Sequence, residues 1–220
     1  MSHTIPLHGS IYAKSLFEIR LRITRDMLDE IGVDRDSTIV DVGCGGGFVA
    51  LMYKIGECPQ ILGFDINKKA IETAKKTFSH CNFFVADAQN VSLNIKVDAV
   101  VACEVIEHLK KQEQALKRWV ELLKNGGYLI LSTPNRATVW RMSKQPPHHQ
   151  NMLTLKKILS LLRSEHLRII KIVPLDFPFP LRYKLFRIDF LCRLNLLLPR
   201  LLNEPKIAND VIYLCKYVSK

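Results

Sequence analysis

The chain has 220 residues, of which 48% are hydrophobic, and its 32 lysines and arginines against 21 acidic residues give a formal net charge of +11. This length and apolar content suit one globular domain with a sizeable core. No stretch reaches the roughly 18 uncharged apolar residues of a membrane span, and the N-terminus lacks the pattern of a secretion signal, so we expect a cytoplasmic protein. The positive charge would attract anionic partners: nucleic acid, an acidic lipid surface or a phosphorylated substrate.

The cysteines are spread along the chain, at positions 44, 58, 81, 103, 192 and 215. No two of them form a C-x-x-C pair. This spacing argues against a structural zinc site and against a disulfide framework. We expect most of them to be small buried thiols.

The first predicted element is a helix over residues 11 to 31, where apolar residues recur every three to five positions with basic residues between them. We interpret residues 1–35 as an N-terminal helical preface to a single domain of residues 1–220.

A strand that runs into a glycine-rich turn follows, T-I-V-D-V-G-C-G-G-G at residues 38–47. The strand part is rich in β-branched residues, which is typical of a parallel strand buried on both faces. Gly43, Gly45 and Gly47 allow the backbone to turn tightly and to approach a ligand closely. Their G-x-G-x-G spacing differs from the dinucleotide pattern G-x-G-x-x-G, because Phe48 stands at the last glycine position. The turn therefore predicts a nucleotide-like cofactor, and its spacing weakens the case for NAD.

Carboxylates follow the next three predicted strands. Asp65 and Asp87 end the second and third strands. The fourth strand runs from Val97 to Cys103, and Glu104 comes directly after it. Ligands of open α/β sheets bind at the carboxyl ends of the strands. We therefore expect these acidic side chains to meet at one site.

Five motifs in this order resemble those of the class I S-adenosylmethionine-dependent methyltransferases. They are D-V-G-C-G-G-G (41–47), G-F-D-I-N (63–67), A-D-A (86–88), E-V-I-E-H-L (104–109) and G-G-Y-L-I-L-S-T-P-N-R (126–136). The resemblance implies an α/β fold with a Rossmann-like sheet of seven strands, the last one antiparallel, and helices on both faces. It also implies S-adenosylmethionine as the cofactor.

The resemblance further implies a role for each residue of the cofactor site. Asp65 would accept hydrogen bonds from both ribose hydroxyls, since a carboxylate has two acceptor oxygens and no donor. Ile66 would pack on the adenine, and Asp87 would accept from the adenine amino group beside the Ala88 N–H. A helix over residues 46–55 would direct its N-terminal amides at the methionine carboxylate. The expected cofactor residues are Asp41, Gly43, Gly45, Gly47, Asp65, Ile66, Asp87, Ala88 and Glu104.

Glu104, Glu107 and His108 are predicted to share one face in the first turns of the helix after the fourth strand. This E-x-x-E-H pattern resembles the quinone-biosynthesis O-methyltransferases and the small-RNA 2′-O-methyltransferases. In both groups carboxylates and histidines bind a divalent metal ion that polarises a hydroxyl, which here implies Glu104, Glu107, His108 and a distal His149 as catalytic residues and metal ligands. The same pattern occurs in metal-free relatives, where Glu104 and His108 line the pocket, so both interpretations stay open.

The C-terminal part is predicted to contain a helix over 155–165 capped by Thr154, a strand over 168–173 and a last strand over 211–218. Between these strands, the insert 174–205 mixes apolar and basic residues. This pattern is typical of an amphipathic helix at a membrane interface. A helical lid or a dimer surface would explain the same pattern equally well.

The leading hypothesis is a methyltransferase that acts on a hydroxyl of a small, lipid-like or isoprenoid substrate, with peripheral membrane contact through the insert 174–205. Its rival is an RNA ribose 2′-O-methyltransferase, which the charge favours. A third alternative is an inactive subunit that keeps the fold and binds a partner. We expect no DNA substrate, because Ala102, Cys103 and Glu104 replace the Asn/Asp-Pro-Pro-Tyr/Phe sequence of nucleic-acid amino methyltransferases.

Overall fold

The computed structural model describes residues 11–54, 56–139, 151–176, 204–206 and 208–219. His149 and most of the insert 174–205 lie outside the described residues, so the predictions made for them stay predictions.

Five α-helices and seven strands make up the described chain, together with short 3-10 turns. The helices are α1 (Ile11–Glu30), α2 (Lys68–Thr77), α3 (Gln112–Glu121), α4 (Arg136–Val139) and α5 (Leu155–Ser164). The strands are β1 (Thr38–Val42), β2 (Gln60–Asp65), β3 (Asn82–Val85), β4 (Val97–Cys103), β5 (Leu123–Pro134), β6 (Leu167–Pro174) and β7 (Asp210–Tyr217).

The strands form one sheet in the order β3-β2-β1-β4-β5-β7-β6. Strands β1 to β5 pair in parallel, and β7 runs antiparallel to both of its neighbours. This confirms the predicted seven-stranded Rossmann-like sheet with an antiparallel last strand. The strand order reverses between β1 and β4, and a reversal of this kind opens a crevice at the carboxyl ends of the strands.

Each face of the sheet carries its own hydrophobic core. Val40 and Val42 pack in the same core as Trp119 of α3, while Ile39 packs in the other core with Met27 of α1. Successive side chains of a strand point to opposite faces, so the β-branched run of β1 serves both cores. Helices cover both faces, as predicted.

Side-chain caps begin two of the helices, and the one at Thr154 confirms a predicted helix start. The Ala70 N–H donates to Asn67 Oδ1 at 3.2 Å at the start of α2, and the Lys157 N–H donates to Thr154 Oγ1 at 3.3 Å at the start of α5. Each cap satisfies a backbone donor that the first helical turn leaves without a partner.

The helix predicted over residues 46–55 is wrong. The chain makes successive turns after Gly43, and only Ala50–Met52 forms a short 3-10 turn. Gly45 and Gly47 have φ angles of 53° and 100°, which a right-handed helix cannot contain. The amides near the cleft therefore belong to a turn and not to a helix N-terminus.

The helix predicted to begin at Glu104 is also wrong. Glu104 has a left-handed φ of 57°, Ile106–His108 forms a 3-10 turn, and α3 begins only at Gln112. Since Glu104 precedes any helical turn, Glu104, Glu107 and His108 do not share a helical face.

The sheet continues through two irregular segments. Residues 125–127 belong to β5, and Gly126, with a φ of 82°, lies near the register shift between β4 and β5. The start of the insert 174–205 continues the sheet, because the Leu175 N–H donates to Asp210 O at 2.9 Å and the Asn209 N–H to Asp176 O at 3.0 Å. None of the described helices is both long and apolar enough to span a bilayer.

Candidate active site

A cleft opens where the strand order reverses, beside the ends of β1 and β4. Its walls include Phe17 and Arg20 of α1, Gly43 of the glycine-rich turn, and Cys103 and Glu104 at the end of β4. It encloses about 470 Å³, counting space open to solvent.

Asp65 ties the glycine-rich turn to the end of β2. The Gly45 N–H donates to Asp65 Oδ2 at 3.0 Å, and the Asn67 N–H donates to Oδ1 at 2.8 Å. The side chain is almost buried. A carboxylate offers about four lone-pair positions, so this one can hold both loops and still accept hydrogen bonds from a ligand.

Asp41 supports the same turn from the end of β1. The Val49 N–H donates to Asp41 Oδ2 at 2.9 Å, and the residue is only 1% exposed. Burial raises the pKa of Asp41 to about 7, with the Val49 hydrogen bond opposing this rise and the charge of Asp65 adding to it. At this burial Asp41 shapes the turn beneath the cleft.

The variant Asp41→Asn is expected to flatten the dependence of stability on pH. The folded-state pKa of about 7 lies above the ordinary value of 3.8, so the folded protein holds a proton that the unfolded chain gives up between these pH values. Stability therefore falls as pH rises through this window, by about 1.4 kcal/mol per pKa unit. Asparagine keeps an acceptor for the Val49 N–H and cannot titrate. Urea unfolding at about pH 4 and about pH 7 measures the slope.

The exposed Asp36 provides the control, since Asp36→Asn should keep the wild-type slope. An Asp41→Asn protein that loses stability with rising pH as steeply as the wild type would contradict the assignment.

Gly43 lets the turn approach the residue after Glu104. It has a φ of 63°, and a Cβ atom at this position would lie 2.5 Å from Val105 Cγ2. Any other residue would have to displace the backbone at the wall of the cleft.

Asp87 and Ala88 follow the end of β3. Asp87 is half-buried and caps its own loop, accepting from the Gln89 N–H at 2.9 Å and from Asn90 Nδ2 at 2.8 Å. The Ala88 carbonyl accepts from Trp119 Nε1 at 2.9 Å, which fixes this loop against α3.

An apolar edge lies beside these carboxylates. Ile66, directly after Asp65, is 68% exposed, and Val85 at the end of β3 is 51% exposed. Both follow or end strands whose carboxyl ends face the same edge of the sheet. A flat apolar ligand group could cover them and remove their surface from water.

A buried arginine joins α1 to two acidic residues. Arg20 Nη2 lies 2.8 Å from Asp210 Oδ2 and 3.4 Å from Glu104 Oε1, and the Ser132 hydroxyl donates to the same Glu104 oxygen at 2.9 Å. Burial works against the charge of Arg20, but Glu104 and Asp210 raise its pKa above the ordinary range. The arginine stays charged and fixes Glu104 at the wall of the cleft.

Arg20 is not among the residues predicted for the site, although the sequence of α1 carries a signal for it. Positions 16, 20, 23 and 27 recur at helical spacing, and Leu16, Ile23 and Met27 pack in the core of that face. A charged residue on an apolar helix face is almost always paired.

Glu107 lies behind Glu104 and is completely buried. The Thr133 hydroxyl donates to its Oε2 at 3.2 Å, its Oε1 has no hydrogen-bond partner in the described structure, and His108 Nε2 is 3.8 Å from Oε1. Burial, with the charge of Glu104 adding to it, raises the pKa of Glu107 well above the ordinary value. The carboxyl group therefore favours its neutral form.

The predicted metal ligands do not fit a metal site in the part of the chain that the structure describes. Glu107 is completely buried, and Glu104 Oε1 already accepts from Ser132. Glu104, Glu107 and His108 do not bring one ligand atom each within 4.8 Å of one another, and His149 lies outside the described residues. No step of the reaction proposed below passes through a metal.

Comparison with known proteins points to a methyltransferase domain in the central part of the chain. A family model described as a methyltransferase domain matches residues 40–131, which contain the glycine-rich turn, Asp65, Asp87 and Glu104. The chain carries a class I methyltransferase domain. The S-adenosylmethionine dependence of this family agrees with the cleft at the ends of β1 and β4.

Two curated relatives are ubiquinone biosynthesis O-methyltransferases. The mitochondrial protein of Candida albicans is 32% identical over 117 residues, which cover 49% of this chain and 36% of the relative. The protein of Pelagibacter ubique is 30% identical over 103 residues, covering 44% of this chain and 42% of the relative. The chain thus spans less than half the length of these relatives.

A solved structure shows the same fold along nearly the whole methyltransferase chain. The N-methyltransferase NodS from Bradyrhizobium japonicum, in complex with S-adenosyl-L-homocysteine, superposes with a TM-score of 0.66. The match covers 99% of this chain and 94% of NodS at 17% sequence identity.

Proposed function

We propose that this methyltransferase binds S-adenosylmethionine in the cleft and methylates a hydroxyl of a small or lipid-like, isoprenoid substrate. The observation that carries the proposal is Asp65, whose carboxylate holds the glycine-rich turn through Gly45 beside the exposed Ile66. This places an acceptor for sugar hydroxyls next to an apolar support for a base.

The residues of the cleft suit this cofactor. Asp65 has lone pairs left for the ribose, Ile66 and Val85 would support the adenine, and the turn at Gly43 would lie along the methionine part. When bound, S-adenosylmethionine supplies a methyl group on a positively charged sulfur.

Glu104 is the acidic residue of the cleft whose side chain could contact the hydroxyl group that receives the methyl group. Its side chain is 18% exposed, and Ser132 and Arg20 hold Oε1. In the proposed reaction the acceptor oxygen bonds to the methyl carbon as the carbon–sulfur bond breaks, and the hydroxyl proton passes to Glu104 and then to water. The rest of the rate gain comes from alignment of the reactants.

The backbone of Glu104 supports this role. A φ of 57° is costly for a residue with a long side chain. The Glu104 N–H donates to Ser132 O at 3.1 Å, so the sheet itself holds the residue in this conformation. Strain that surrounding structure maintains is typical of active sites.

The acceptor class rests on the lining of the cleft and on the relatives. Phe17 and Phe48 meet edge to face with ring centroids 5.7 Å apart, and both line the cleft. Aromatic walls suit an apolar acceptor, and two relatives carry O-methyltransferase names. The RNA alternative rests on the net charge of +11 and on the E-x-x-E-H pattern.

Transfer of a labelled methyl group from S-adenosylmethionine tests the proposal. The acceptors are an isoprenoid catechol, a simple catechol and an RNA oligonucleotide. We expect label in an O-methyl ether of a catechol. Glu104→Gln should lower turnover about 100-fold or more, the usual cost of losing a general base, and keep donor affinity within a few-fold.

The exposed Glu72 on α2 provides the matched control, since Glu72→Gln should keep wild-type turnover. Label found only in RNA would establish the RNA alternative instead. Tight donor binding without transfer to any acceptor would establish the inactive subunit.

A further inference from the structure

Two cysteines and a histidine meet at the edge of the sheet opposite to the cleft. Cys58 lies in the loop before β2, and His80 and Cys81 lie in the loop between α2 and β3. Strands β2 and β3 are parallel neighbours, so the loops that precede them come together. The fold thus brings together two cysteines whose spacing in the sequence argued against a zinc site.

The distances among these side chains suit a bound metal ion. Cys58 Sγ and Cys81 Sγ are 3.7 Å apart, and one ligand atom each from Cys58, His80 and Cys81 lies within 4.8 Å of the others. Two thiolates at about 2.3 Å from a tetrahedral zinc ion are separated by about 3.8 Å. The two sulfurs are thus already at the spacing that a zinc ion requires.

We propose that Cys58, His80 and Cys81 bind a zinc ion. Thiolate and imidazole are the ligands that zinc prefers, and their softness disfavours magnesium and calcium. Within the described residues no fourth His, Cys, Asp or Glu joins the group. The fourth tetrahedral position would be taken by water.

The three side chains are reachable without unfolding. His80 is exposed and Cys58 is partly exposed, while Cys81 forms the buried floor of the group. Burial raises the pKa of the Cys81 thiol to about 12 and that of Cys58 above its ordinary value. Both thiols therefore keep their protons without metal, and each releases its proton to water as its sulfur–zinc bond forms.

A disulfide is the competing outcome. It would require the sulfurs to approach from 3.7 Å to about 2.05 Å, together with an oxidant, and it would leave His80 without a role. The metal uses all three side chains, and for this reason we favour it.

The zinc site is separate from the methyl-transfer site. Strand β2 runs six residues from the loop of Cys58 to Asp65, a span of about 20 Å. A zinc ion would hold the loops that enter β2 and β3, at the end of the sheet away from Asp65.

Metal titration tests the inference on the full chain. The reduced protein is titrated with Co²⁺, whose thiolate charge-transfer absorption reports sulfur ligands, and then with Zn²⁺ as competitor. We expect one metal ion per chain, displaced by Zn²⁺. Three variants each remove one proposed ligand: Cys58→Ser, Cys81→Ser and His80→Asn. Each should weaken metal binding by about 100-fold or more, because loss of a residue that only hydrogen-bonds to a metal ligand already costs up to about 100-fold.

Matched controls come from residues outside the group. Cys215→Ala, at a fully buried thiol of β7, and His166→Asn, at an exposed histidine, should keep wild-type affinity. Absence of the charge-transfer band, equal affinity in Cys58→Ser and Cys215→Ala, or a Cys58–Cys81 disulfide found by mass spectrometry in freshly purified protein would overturn the inference. The readout does not involve methyl transfer, so it is independent of the proposed function.

Discussion

Asp65→Ala is expected to weaken binding of S-adenosylhomocysteine by about 100-fold or more. The substitution removes the acceptor of the Gly45 and Asn67 N–H groups and also the proposed acceptor of the ribose hydroxyls. Each hydrogen bond to a charged group contributes about 1.5 to 3 kcal/mol, and about 1.4 kcal/mol corresponds to a tenfold change in affinity. Isothermal titration calorimetry of the folded variants measures the change.

Two further variants sharpen this test. Asp65→Asn keeps one acceptor oxygen and should bind with intermediate affinity. Asp36→Ala removes an exposed carboxylate from the loop before β1 and should bind like the wild type. If Asp65→Ala binds within about threefold of the wild type, Asp65 does not hold the cofactor.

Arg20→Met is expected to lower the free energy of unfolding by about 3 to 5 kcal/mol, the usual cost of removing one partner from a buried ion pair. The variant leaves Glu104 and Asp210 beside each other in a site that is nearly closed to water. Urea unfolding at neutral pH measures the loss. Since Arg20 holds Glu104 at the cleft, turnover should fall as well.

The neighbouring Arg22 separates the effect of charge from that of helix composition. Arg22 is exposed on the same helix, so Arg22→Met should change stability by no more than about 0.5 kcal/mol. Adding Glu104→Gln to Arg20→Met removes one uncompensated charge and should restore part of the stability. Equal, small losses for Arg20→Met and Arg22→Met would show that the ion pairs contribute little.

The sheet, and the placement of Asp65 and Asp87 at one edge of it, could be predicted from local patterns. The run at 39–42 is apolar at positions that serve both faces, and Asp65 and Asp87 stand directly after such runs. Both features depend on residues close together in the chain, and the paired sheet confirms the fold they predict.

The conformation of Glu104 could not be predicted in this way. The sequence E-V-I-E-H-L favours a helix locally, but the Glu104 N–H donates to Ser132 O at 3.1 Å and so extends the contact between β4 and β5. This long-range bond overrides the local preference, and α3 starts only at Gln112.

The ion pairs of Arg20 and the contact of Cys58 with Cys81 escaped prediction for a related reason. Arg20 and Asp210 are 190 positions apart, and the two cysteines are 23 apart without a recognised motif spacing. The sheet brings each pair together, so only the folded chain reveals them.

The central claim is that the methyl donor lies across the ends of β1 and β2, and a crystal structure of the chain with S-adenosylhomocysteine tests it most directly. We predict ribose hydroxyls within hydrogen-bonding distance of the Asp65 carboxylate, adenine on Ile66 and the amino-acid end beside Gly43. A ligand bound away from the glycine-rich turn, or Asp65 pointing away from the bound ribose, would contradict this account.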